Sequence, residues 1–172
     1  MDFIFIILIY VLVALLVLFV VLKFVTGAKN KKIKTKLESL KNEDKQTAID
    51  ELRRILKSNS DDVVAREKLA DLLVETKAYV PAIKEYLLLI DKSAVNPDLS
   101  EVKFTVKLAD AFLKLDNVDD AKKYYQIAKK LDDFNYEANL NLGKLEMKNN
   151  NFDKAFIYLT MAVKSNPESS DA

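Results

Sequence analysis

The chain has 172 residues, half of them apolar, with 27 basic and 26 acidic side chains, a length that suits about one soluble domain. It contains no cysteine and no histidine, which excludes disulfides, thiolate or imidazole metal sites and the common nucleophile–base pairs of catalysis. Its only glycines are Gly27 and Gly143, so a glycine-rich phosphate cradle is absent too, and binding without cofactor or metal is expected rather than an enzyme.

The first element is apolar. Phe3 to Leu22 carries no charge and nothing more polar than Tyr10. At about 1.5 Å per residue such a helix reaches roughly 30 Å, the thickness of a bilayer's hydrocarbon core. The run predicts a transmembrane helix, with residues 1–25 as an anchor in the lipid bilayer. A cleaved signal peptide would need a basic start and an apolar core of about 7–15 residues; here Asp2 is the only charged side chain before a longer run. Lys23, Lys29, Lys31, Lys32, Lys34 and Lys36 follow with no acid among them, whereas the chain from residue 37 onward holds 21 basic and 25 acidic side chains. The lysines predict that everything after the span is cytoplasmic. They also suit contact with anionic lipid headgroups, at roughly 1 kcal/mol for each lysine near the surface.

Residues 26–58 form a basic juxtamembrane segment and one incomplete helix pair. Ile33, Leu37 and Leu40 make the apolar stripe of an amphipathic helix, Asn42 to Asp44 the turn, and Ala48, Leu52, Ile55 and Leu56 the apolar positions of the next helix. Three further pairs occupy residues 59–167. The first opens at Asp61–Asp62, and Pro81 falls in the first turn of its second helix, where a missing N–H costs nothing. Asn96-Pro97-Asp98 then breaks the chain, and Asp98 with Glu101 has the form of a capping box. Asn149 to Asn151 makes the last turn, with Asn151 as the predicted N-cap, and residues 168–172 are a polar tail. The aspartate pairs at 61–62, 119–120 and 132–133 fall at helix ends, where carboxylates cap first turns rather than hold cations.

A register runs through these elements. Ala48, Ala82, Ala121 and Ala155 recur at intervals of 34, 39 and 34 residues. Leu108, Ala109, Tyr125 and Ala128 return 34 residues later as Leu142, Gly143, Leu159 and Ala162, and Leu69, Ala70, Leu73 and Tyr86 precede Leu108, Ala109, Phe112 and Tyr125 by 39. The five extra residues belong in the stretch from Asp91 to Ser100. Large, small and large residues on a first helix, then small, large and small ones on a second, resemble the tetratricopeptide repeat. The pattern departs at Glu146, where a bulky residue is usual, and at Leu89, where a small one is. The resemblance implies an all-α, right-handed helical solenoid of about 3.5 repeats behind the membrane helix, with residues 30–58 as a degenerate first repeat.

It also implies a partner-binding groove lined by the first helices. Mapped residue by residue, that groove presents Glu67, Asp71 and Glu75, then Val106, Asp110 and Lys114, then Leu140, Lys144 and Lys148, acidic near the membrane and basic at the far end. An alternative contact is the stripe of Phe156, Leu159 and Val163 on the last helix, which would face a following unit, another chain or a second copy. The acidic repeat region, with its aromatics at packing positions, argues against nucleic acid. The expected function is therefore a membrane-anchored scaffold that recruits a protein partner at the cytoplasmic face of a bacterial membrane. The competing expectation is a structural subunit of a larger envelope, secretion or motility assembly, with groove and end face buried in subunit contacts.

Overall fold

A computed structural model of the chain describes residues 44–168 and the isolated positions Leu16, Phe19, Lys23 and Gly27. Residues 1–44 and 45–172 form separate units. In the first, the four described positions are helical, and the Lys23 ammonium lies 5.5 Å from the centroid of the Phe19 ring. The membrane span expected over residues 3–22 otherwise lies outside the described residues, as do the other five lysines of the basic cluster and the Ile33–Leu40 stripe. Among the described residues no helix is long and apolar enough to cross a membrane.

The second unit is all helix among the described residues: α1 Lys45–Ser58, α2 Val63–Glu75, α3 Tyr79–Ser93, α4 Glu101–Lys114, α5 Val118–Leu131, α6 Tyr136–Lys148 and α7 Phe152–Ser165. Each helix packs on its successor. Pairs α2–α3, α4–α5 and α6–α7 are the three complete units, and α1 covers α2. The register explains the packing. Ala70, Ala82, Ala109, Ala121 and Ala155, together with Gly143, are buried where helices cross, and Leu69, Leu108 and Leu142 fill the space beside them. Burying each of those leucines contributes about 1.5–3 kcal/mol.

Local signals start most helices. The Asp62 carboxylate accepts from Ala65 N–H at 2.9 Å, Asn117 from Asp120 at 3.2 Å, and Asn135 from Ala138 at 3.0 Å. The capping box expected at Asp98 is not formed. Ser100 caps α4 through Lys103 N–H, while Asn96 accepts from Asp98 N–H to tighten the preceding turn. Asn151 occupies the N-cap of α7 without a side-chain capping bond, and its amide donates to Glu146.

The five inserted residues are shared out. The link between α3 and α4, Ala94–Ser100, is seven residues against four at 59–62 and 132–135, and α3 and α4 each gain one residue at the ends that meet it. The corners within units are invariant by contrast. Lys77, Asp116 and Asn150 are left-handed, at φ 61°, 63° and 60°, and occupy the same register position. At each, the next residue's N–H reaches back to the carbonyl of Leu73, Phe112 or Glu146 at 2.8–3.0 Å. This is the helix stop usually given to glycine, and here no glycine is used.

Candidate functional site

The first helices α2, α4 and α6 carry the nine residues assigned to the groove, and the structure treats its two ends differently. Glu67 accepts from Lys103 at 2.6 Å and from Lys107 at 2.7 Å. Asp71 accepts from Lys107 at 2.8 and 2.9 Å and from the Tyr86 hydroxyl at 2.6 Å. Burial alone would raise the Glu67 carboxyl, but the bonds from Lys103 and Lys107 outweigh it and hold the group below its ordinary value. Burial would likewise lower Lys107, yet Asp71 and Glu67 hold it above the ordinary lysine value. Lys103 and Lys107 stand one turn apart on α4, facing two carboxylates one turn apart on α2. Matched i, i+4 pairs of opposite sign are the signal for this bridge, and they are present in the sequence.

Glu75 is bound as well, to Lys45 of α1 at 2.9 Å. Asp110 accepts from the Tyr125 hydroxyl, and burial raises its carboxyl in spite of that bond and of nearby Lys114 and Lys107. The Tyr86–Asp71 and Tyr125–Asp110 bonds occupy the same register in successive units. The acidic half expected to meet a ligand's basic side chains is thus engaged internally.

Val106 and Leu140, expected at the groove surface, are 3% and 7% exposed and pack in the core. Helical phase is the reason: Val106 shares a cluster with Ala109, Tyr125 and Leu142, which places it on the inter-unit seam. Of the exposed residues in the row, Glu75 is paired with Lys45 and the rest are basic. Lys114, Lys144 and Lys148 are exposed and form no salt bridge among the described residues. Asp71 is paired, and its register equivalent one unit beyond Asp110 is Lys144, so the tyrosine–aspartate pattern of the second and third units is replaced by a lysine in the fourth.

The end-face stripe is only partly as expected. Phe156 is 73% exposed, Val163 is exposed, and Phe152 joins them. Leu159 instead turns onto α6, where a Cβ added to Gly143 would lie 2.6 Å from its Cδ2 and 2.7 Å from its Cγ. Leu159 fills the notch that the glycine leaves.

Sequence reasoning missed the role of Glu146. It is buried, and it accepts from Lys122 of α5 at 2.6 Å and from Asn151 at 2.7 Å. One carboxylate therefore ties α5, α6 and the corner before α7, and the bonds from Lys122 and then Asn151 hold it below the ordinary glutamate range.

A sequence model of the tetratricopeptide repeat matches residues 38–97 and 106–170. Among solved structures, MamA from residue 41 of Desulfovibrio magneticus RS-1 is similar with a TM-score of 0.61 at 15% identity, over 73% of this chain and 68% of that one. The pilF protein of Pseudomonas aeruginosa has a TM-score of 0.60 at 16% identity, over 86% and 74%. A thermophilic TPR protein of Thermus thermophilus has 0.56 at 19%, over 79% and 72%. At these identities the likeness is one of fold. No curated protein sequence matches significantly.

Proposed function

Because the chain belongs to the tetratricopeptide repeat family, we propose that it is a scaffold that holds a protein partner at a membrane, through the α4–α6 end of its row of first helices. The observation that carries this reading is the distribution of unpaired charge. Glu67, Asp71 and Glu75 are taken up by lysines of the same chain, while Lys114, Lys144 and Lys148 face solvent. The row then favours an acidic segment, and the basic part of a ligand would have to displace Lys103 and Lys107 to reach the acids. Rim charges of this kind act through encounter rate and salt dependence.

Replacing Lys144→Glu and Lys148→Glu together should weaken capture of the partner by the full chain in a pull-down, with the melting temperature unchanged and the loss smaller at high salt. Undiminished capture by that folded variant would refute the reading. Anchoring through residues 3–22, with the helical unit in the cytoplasm, belongs to the same proposal and rests on the apolar run and the six lysines after it. A Ser170→Cys variant should resist an impermeant thiol reagent in intact cells and react after lysis; labelling of intact cells would overturn this topology.

A second reading, a structural subunit of a larger assembly, draws on the exposed Phe152, Phe156 and Val163 of α7. A stable ring or filament of the purified chain, lost on Phe156→Glu, would favour it over recruitment.

A further inference from the structure

The second helices α3, α5 and α7 form the opposite row, and the seam between α5 and α7 differs from that between α3 and α5. In the third unit Phe112 of α4 stacks on Tyr124 of α5, with ring centroids 5.4 Å apart and planes within 5°. Their register equivalents in the fourth unit are Glu146 and Tyr158. Glu146 is drawn to Lys122 and Asn151, so Tyr158 has no ring partner among the described residues. On the facing side, Gln126 and Lys129 of α5 stand where α3 has Leu87 and Ile90. Polar side chains therefore replace apolar ones on the α5 side of this seam.

The result is an open cleft of about 540 Å³ between α5 and α7, within the roughly 300–1,000 Å³ of clefts that take ligands. Ile157, Tyr158 and Met161 form its apolar part, Lys129 and Lys130 stand on the α5 side and Lys154 on the α7 side, and no acidic residue lines it. Lys129 is bound to Asp133 at 2.7 Å, whereas Lys130 and Lys154 are exposed and form no salt bridge among the described residues.

We propose that this cleft docks an acidic protein segment, which lays an apolar side chain on Ile157, Tyr158 and Met161 and sets carboxylates beside Lys130 and Lys154. The warrant is charge complementarity. Two unpaired ammonium groups flank one apolar floor from opposite helices, the arrangement that acidic residues on either side of a leucine or phenylalanine would satisfy. An apolar anchor supplies most of the affinity of such a contact, and the lysines supply its selectivity. The site lies on the second helices and does not depend on the groove formed by the first.

Selection of short displayed peptides on the full chain tests this directly. Enriched sequences should carry Asp or Glu on both sides of Leu, Ile or Phe. Their affinity, read by fluorescence anisotropy, should fall roughly tenfold with Lys130→Glu/Lys154→Glu and by a larger factor with Ile157→Ala/Met161→Ala. Lys144→Glu/Lys148→Glu should leave it unchanged, which separates this site from the groove. The lysine pair is exposed, so that variant keeps the test valid even where the apolar pair impairs folding, and circular dichroism melts verify each protein. Enrichment of peptides without the acidic and apolar pattern would overturn the proposal. So would peptides lost with the groove variant and kept with the cleft variants, or displacement by laurate at lower concentration than by free peptide.

Discussion

The third and fourth units share one register and hold themselves together by different chemistry. The third is aromatic: Phe112 stacks on Tyr124, and Tyr125 donates to Asp110. In the fourth, the same positions carry Glu146, Tyr158, Leu159 and Lys144, and its cohesion comes from a buried carboxylate and a leucine seated against glycine. The backbone solution tolerates either, since small residues at the crossings and leucines beside them are kept in both. What changes is the surface. Where the aromatic pairing lapses, Tyr158 is left beside an open cleft, and where the tyrosine–aspartate bond lapses, Lys144 is left in solvent.

Removing the carboxylate should break the comparison most. Glu146→Ala leaves Lys122 and Asn151 without their acceptor and should cost about 2 kcal/mol, below the roughly 3–5 kcal/mol of a fully buried pair because Lys122 reaches solvent. Replacing both partners by apolar residues, Glu146→Leu with Lys122→Met, should recover most of that loss in urea titrations. The carboxyl is held below the ordinary 4.5 in the folded chain. Its contribution is therefore complete above that value and disappears as pH falls through the lower folded one. The stability gap between the native chain and Glu146→Gln should accordingly close on acidification below about pH 4.5.

Gly143→Ala sharpens the contrast at the crossing. Alanine gains up to about 1 kcal/mol of helix propensity, but its Cβ would enter the space of Leu159, where overpacking costs typically 1–3 kcal/mol. A net loss of about 1 kcal/mol is expected from thermal melts, because the 2.7 Å approach involves the branch carbon as well as its mobile methyl. In the third unit the corresponding residues are Ala109 and Tyr125, within one core cluster, and a flat ring there leaves room for the methyl.

The smallest effect should come from a feature that the units share. Asn150→Gly relieves a left-handed residue of its side chain and should stabilise by about 0.5 kcal/mol, with Lys77→Gly gaining somewhat more because lysine tolerates that conformation less well than asparagine. A loss of stability at Lys77 would show that its side chain holds the corner.

Most of the fold was legible because it rests on spacing. The alanine intervals, the Leu–small pairs and the helix-capping Asp62, Asn117 and Asn135 are local or periodic signals, and each leads to one position in a helix pair. Asp98 misled because two acceptors three residues before an N–H competed, and Ser100, closer to the helix, took the role. The surface was less legible because it depends on which charges meet across helices. Glu67 and Asp71 read as groove acids when taken alone. Only the adjacent first helix, 36–40 residues away, reveals them as partners of Lys103 and Lys107. Val106 and Leu140 failed for a related reason, since a small difference in helical phase turns an apolar side chain from groove to seam.

The corners at Lys77, Asp116 and Asn150 bear on how such a chain could arise. Each is held by main-chain bonds back to the preceding helix, so the corner closes with a lysine, an aspartate or an asparagine in place. A joint closed by main-chain bonds, at which a change of side chain costs only a fraction of a kcal/mol, about the size of a glycine's advantage there, is inherited in working order whenever the segment encoding a unit is duplicated. The copy can turn its helices correctly from the first generation, while its exposed positions drift toward new partners.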